Sequence, residues 1–183
     1  MHIERYLKIM IWMFFGLLVP QWSHSEPTMP EAQKKDIVYK MYADYQLDFP
    51  GVNDIHYHEA VELLKEGQII FVDTRKPAER AVSALPDAIT KKEFMNHPEQ
   101  YKGKTVVAYC TISYRSGIFA REMAKKGIAV SNLTGGILAW TLEGGKIYDA
   151  NGETHRIHVF GKKWNYAPDG YAVVMFGPFG KLF

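Results

Sequence analysis

The sequence predicts an α/β fold, a parallel sheet covered by helices on both faces, with a helix before it and a β-hairpin extension after it. Three observations lead there. Short apolar, β-branched runs, Ile69–Asp73 and Thr105–Tyr109, read as buried strands. Helical stretches alternate with such runs, which is the order that parallel pairing needs. Beyond Ile147 the helical signal stops. Two strand-like runs, 154–160 and 171–176, are bounded there by the turn signals Asn151-Gly152 and Pro168-Asp169-Gly170.

Taken in order, 31–45 is expected to be a helix, with Ile37, Met41 and Tyr45 on one face at four-residue spacing. Leu47-Asp-Phe-Pro-Gly is a turn. A short helix over 58–66 turns Val61 and Leu64 inward and stops at Gly67. After the strand Ile69–Asp73 come a short helix over 76–82, a brief strand at 88–89, and a stretch over 91–100 interrupted by Pro98. The strand Thr105–Tyr109 leads through a loop into a helix on which Phe119 and Met123 share a face, with Gly127 as its stop. A last helix covers 137–142. The extension is rich in aromatic residues: Phe160, Trp164, Tyr166, Tyr171, Phe176 and Phe179. Packing is the expectation for them, with closure over a site or a surface for a partner protein as the alternatives.

The 183 residues suffice for one domain with a sizeable core. A net charge of +2 gives no reason to expect a nucleic-acid partner. The single cysteine excludes an internal disulfide and any CxxC metal or redox motif. Near the start, Arg5 and Lys8 precede an apolar run over 9–19 that is short for a membrane span and ends at Pro20. Ser23-His24-Ser25 places small residues where a signal peptidase reads, so cleavage after Ser25 and a periplasmic or secreted mature chain are expected. The alternative is an N-terminal segment kept as a membrane anchor. The chain is thus divided as a signal peptide over 1–25, a linker and helix over 26–53, a main domain over 54–145 and a β extension over 146–183.

The chemistry is concentrated where Thr105–Tyr109 meets its helix. The loop opens with Cys110 and closes with Arg115. A loop entering a helix N-terminus leaves several backbone amides unpaired, with the positive end of the helix dipole behind them. A sulfur in such a cradle is favoured as thiolate, and the expected pKa falls from about 8.5 to roughly 4–7. The amides of Thr111, Ile112, Ser113, Tyr114, Arg115 and Ser116 would also hold an anion bonded to that sulfur, with Arg115 adding a positive charge at the rim. A buried core thiol is the alternative for an isolated cysteine.

These motifs resemble the rhodanese-like superfamily of sulfurtransferases. Val72-Asp73-Thr74-Arg75 with Glu79, then Leu85-Pro86-Asp87-Ala88-Ile89, is similar to the first family signature; Leu133-Thr-Gly135-Gly136-Ile-Leu-Ala139-Trp140 is similar to the last. The resemblance runs from about Asp54 to about Gly145. It implies a sulfurtransferase that carries sulfane sulfur as a persulfide on Cys110, taking it from a small sulfur-containing donor and passing it to a thiol or other nucleophilic acceptor, with no cofactor. The alternative is a non-catalytic rhodanese-like module that binds or senses a partner. Phosphatases related to this superfamily hold one more residue between cysteine and arginine than the Thr111–Tyr114 spacer here, so the shorter loop points to sulfur rather than phosphate.

The sequence also departs from the family pattern. Thr111 stands where many members carry a basic residue, Ser113 where they carry glycine, and Ser83-Ala84 where the first signature has Gly-His. Fewer cations imply poor use of thiosulfate and a persulfide or polysulfide donor. Asp73 and Arg75 are candidate supporting residues; an Arg–Glu pair with Glu79 between neighbouring elements, with Asp73 at a strand end tying down a loop, is the favoured reading. His56/His58 and His155/His158 lack further ligands and are not read as a metal site.

Overall fold

The computed structural model describes residues 29–177. The expected signal peptide and Phe179 lie outside the described residues. The chain order is helix α1 (Glu31–Gln46), β1 (Asp54–Ile55), α2 (Tyr57–Lys65), β2 (Ile69–Asp73), α3 (Pro77–Val82), β3 (Ile89–Thr90) and α4 (Lys91–Asn96). There follow β4 (Thr105–Tyr109), α5 (Tyr114–Ala124), β5 (Ser131–Leu133), α6 (Gly136–Leu142) and four short strands, β6 (Ile147–Asp149), β7 (Gly152–Thr154), β8 (Arg156–His158) and β9 (Ala172–Val174).

Five strands form one parallel sheet in the order β1-β5-β4-β2-β3. Successive residues of β2 and β4 point to opposite faces, and each face has its own core. Phe71, Val107 and Tyr109 join Leu133, Ile137 and Trp140 on one side. Val72, Val106 and Ala108 join Phe94, Phe119 and Met123 on the other. The continuous apolar runs seen in the sequence are what a sheet buried on both faces requires. The chain therefore has the α/β architecture that the alternation of elements predicts.

Two details differ from the sequence reading. In α1 the fully buried residues are Val38 and Tyr42, one position on from the expected line, while Met41 and Tyr45 pack at its flank. The helix seats against both α5 and α6, so its buried stripe is set by the groove between them rather than by its most apolar residues. In the extension, the antiparallel hairpin is β6–β7, turning at Asn151-Gly152. The two runs picked out from sequence, 154–160 and 171–176, supply β8 and β9, which pair in parallel. The 159–171 connection is long enough for the crossover that parallel pairing needs, about a dozen residues, and its short 3-10 turn Lys162–Trp164 carries it back over the domain.

The extension is bound to both ends of the fold. Ala84 and Tyr148 exchange backbone hydrogen bonds of 2.7 and 2.9 Å. Asp169 pairs with Lys34 at 2.6 Å, and its amide donates to Glu31 Oε1 at 2.9 Å. Among the described residues, no helix is long and apolar enough to cross a membrane.

Candidate active site

β4 ends at Tyr109, and the next residue, Cys110, is 2 % exposed. The loop then turns sharply. Ser113 takes a left-handed backbone (φ 71°) before α5 begins at Tyr114. A non-glycine residue there carries strain of order 1–2 kcal/mol. Two contacts hold it: the Ser113 hydroxyl donates to the Leu133 carbonyl, and Asn132 Nδ2 donates to the Ser113 carbonyl at 3.2 Å. Serine thus occupies a position where the backbone favours glycine, and β5 supplies the compensation.

The amides of Thr111 to Ser116 are taken by no acceptor among the described residues; the first bonded amide is that of Gly117, on the Ser113 carbonyl. The carbonyls on the other side of the loop are tied down. Ile137 and Leu138, at the start of α6, donate to the carbonyls of Cys110 and Thr111 at 2.9 and 3.2 Å. Gly136 explains the last signature: a Cβ there would lie 2.4 Å from the Cys110 carbonyl oxygen, and its φ is +61°. So α6 and β5 fix the back of the loop and leave its amides for an anion. The Ser116 hydroxyl is buried and without a partner among the described residues.

Arg115 lies at the rim, with its side chain 32 % exposed. Its charge is not free. Both terminal nitrogens bond the buried Glu79 carboxylate at 2.8 Å, a bidentate pair. Arg75, the partner expected for Glu79, bonds Asp73 instead. Glu79 also accepts from the Lys76 amide at 2.9 Å. His158, from β8, brings Nδ1 to 3.2 Å from Glu79 without the alignment of a hydrogen bond, and stacks on Phe176. Burial alone would raise the Glu79 pKa; Arg115, His158 and the Lys76 amide reverse this and hold it well below the usual carboxylate range. Burial works against the charge on Arg115, but Glu79 and Cys110 outweigh it and raise its pKa.

Asp73 and Arg75 form a separate buried network. Arg75 Nε and Nη2 bond the two Asp73 oxygens at 2.9 and 2.7 Å, and Nη2 reaches the Ser83 carbonyl at 2.6 Å. The Tyr109 hydroxyl donates to Asp73 at 2.7 Å and accepts from the Leu85 amide at 3.1 Å. This cluster braces the end of β4 and the turn at Ser83; it does not line the cavity over Cys110. Of the histidine pairs, His56 bonds Thr134, while His155 packs on Tyr171 and so diverges from His158.

Above Cys110 is a cavity of about 340 Å³. Thr111, Ile112, Tyr114 and Arg115 line its floor and near side; Tyr45 of α1 and Phe160 and Trp164 of the β8–β9 connection form the rest. Sequence reasoning named the loop residues, but it placed Tyr45 on a packing face and favoured packing for the extension's aromatics. The aromatics divide: Tyr166 and Tyr171 pack against the core, whereas Phe160 stands 57 % exposed at the cavity mouth. No local pattern in the sequence signals that Tyr45, Phe160 and Trp164 meet over the loop, because they lie on segments far apart along the chain.

The sequence matches the model of the Rhodanese-like domain over residues 56–143. A sulfurtransferase of Allochromatium vinosum is 33 % identical over 98 residues, covering 51 % of this chain and 92 % of that protein. An uncharacterized protein of Synechocystis sp. is 33 % identical over 87 residues, 45 % of this chain; the match spans only 49 % of that relative's length. A solved thiosulfate sulfurtransferase from Pseudomonas aeruginosa is similar at a TM-score of 0.49 and 19 % identity, over 65 % of this chain and 23 % of that one. With nearly the whole Allochromatium protein aligned, the chain belongs to the rhodanese-like domain family.

Proposed function

We propose that the protein is a sulfurtransferase that carries sulfane sulfur as a persulfide on Cys110 and passes it to a thiol or other nucleophilic acceptor. The observation that carries this reading is the position of Cys110 beneath a cavity, beside the unclaimed amides of Thr111 to Ser116. The thiolate is the attacking form. It attacks the outer sulfur of a donor and forms the persulfide S–S bond; the donor's own S–S bond breaks and its electron pair leaves with the remainder. The new terminal sulfur carries the negative charge, and the loop amides and the Ser116 hydroxyl are the donors that stabilise it. An acceptor thiolate then attacks that sulfur and regenerates Cys110. Both steps balance without an external oxidant or a cofactor.

The direct test is intact-mass spectrometry of the protein after exposure to a donor, before and after a reductant. One added sulfur on Cys110, removed by the reductant and absent in Cys110→Ser, is expected. Sulfur transfer that survives Cys110→Ser defeats the assignment, and no loading from any donor favours a non-catalytic binding module. From Arg5, Lys8, the apolar run over 9–19 and Ser23-His24-Ser25 we also propose that the protein works outside the cytoplasm, with residues 1–25 removed. N-terminal sequencing from the native host should find Glu26 first, and a cytosolic chain beginning at Met1 would count against it.

A further inference from the structure

The two ends of the cavity differ in chemistry. The loop side offers backbone amides, whereas the opposite wall is aromatic. Tyr45 and Tyr114 meet edge to face with centroids 5.3 Å apart, and Phe160 and Trp164 do so at 5.6 Å. A hydrogen bond of 3.1 Å from Trp164 Nε1 to the Tyr45 hydroxyl joins the two pairs. Only Tyr114 comes from within the matched family domain; Tyr45 precedes it and Phe160 and Trp164 follow it. Tyr114 and Phe160 remain 40 % and 57 % exposed, so the mouth presents apolar surface to water. Among the described residues, Arg115 is the only charged side chain lining the cavity, and Glu79 already neutralises it.

These walls suit a small inorganic dianion poorly. Such an ion would lose its hydration against ring carbons and meet one guanidinium whose charge is already compensated. A cavity of about 340 Å³ falls in the size range of small-molecule sites, which are mostly apolar with a few placed polar groups. We propose that this site takes an organic sulfane-sulfur donor with a flat apolar body, an aryl persulfide or thiosulfonate, and that Phe160 and Trp164 determine this specificity. The proposal rests on the sulfur-transfer reading and deepens it by naming the substrate class. The ring lies against the aromatic wall and the outer sulfur faces Cys110. With a thiosulfonate, the Cys110 thiolate bonds to the outer sulfur, the S–S bond breaks, and the sulfinate leaves with the electron pair.

The test compares benzenethiosulfonate with methanethiosulfonate, which share a reacting group and differ in the body attached to it. Loading of Cys110 and release of sulfinate are followed, and each rate is divided by that of a free small thiol with the same donor. Wild-type protein should prefer the benzene compound by at least roughly tenfold, the effect expected for covering one ring. Phe160→Ala, a change at an exposed position, should reduce that preference roughly tenfold, and Trp164→Phe should reduce it less. Transfer from both donors without a ring preference, or a preference unchanged in Phe160→Ala, overturns the proposal and leaves sulfur transfer intact. Should neither donor load Cys110 although a polysulfide does, the proposal is overturned and sulfur transfer stands; should no donor load it, the sulfur-transfer reading fails. Calorimetric titration with benzenesulfinate then decides the wall by itself: binding weakened in Phe160→Ala supports it, and no binding refutes it.

Discussion

Two arginine–carboxylate pairs lie within one stretch of fold and differ in what surrounds them. Arg75 and Asp73 are 0 % and 1 % exposed, and beyond each other their side chains bond the Tyr109 hydroxyl at the end of β4 and the Ser83 carbonyl after α3. Arg115 and Glu79 are also bidentate, end-on through Nη1 and Nη2 rather than side-on through Nε and Nη2, but Arg115 opens onto the cavity with 32 % of its side chain exposed. The first pair holds structure, with both side chains closed to solvent. The second sets the charge available to a ligand, because the carboxylate that fixes the guanidinium also cancels it. Identical chemistry therefore serves scaffold or site according to which side is left open.

The comparison can be broken from either end. Asp73→Ala leaves Arg75 charged in a closed environment, and a loss of about 3–5 kcal/mol in unfolding free energy is expected from denaturant titration. A loss under about 1 kcal/mol would mean that Arg75 escapes to water. Glu79→Gln should cost less, about 1.5–3 kcal/mol, the worth of hydrogen bonds to a charged group. The same change frees the charge of Arg115, so the KM for thiosulfate in a thiosulfate:cyanide assay should fall, by roughly tenfold at most. An unchanged or raised KM would show that Glu79 positions Arg115 without limiting its charge.

A pH titration sharpens the second pair. The Glu79 pKa is depressed in the folded protein, so its contribution is complete above the unfolded value of about 4.3. It is lost as pH falls below that value toward the depressed one. The stability gap between wild type and Glu79→Gln should be level from pH 7 to about 5 and narrow below about 4. A gap that already changes between pH 7 and 5 points to a different group. The smallest effect concerns the loop between the pairs. Ser113→Ala keeps the left-handed backbone and removes the bond to Leu133, with an expected cost of about 0.5–1.5 kcal/mol. A variant as stable as wild type would show that Asn132 alone holds the turn.

Much of the fold was legible because it is local. Ile69–Asp73 and Thr105–Tyr109 have the observed bounds, and Phe119 and Met123 share the buried face of α5. Such features follow from side-chain periodicity within a few residues. The cysteine loop was legible for the same reason, since Cys110, its loop and the helix behind it are contiguous. The glycine pair at 135–136 was legible as a motif, but its purpose, room for the Cys110 carbonyl, depends on α6 crossing behind the loop.

What lay beyond the sequence depends on distance along the chain. Arg115 could be read as a cation, but its neutralisation comes from Glu79, 36 residues earlier, and that pairing follows from how α3 seats beside the loop. The extension's strands could be read, but their parallel pairing is set by where the 159–171 connection crosses the domain. The cavity's character is the clearest case. Tyr45 and Trp164, 119 residues apart, share a hydrogen bond only because α1 and the extension are clasped together over the loop. The sequence by itself determined the strands, the helices and the loop that carries Cys110, because hydrophobic period and loop chemistry act between near neighbours. The tertiary structure alone decided what that sulfur faces, because the walls of the cavity are brought together by packing between segments that no local pattern relates.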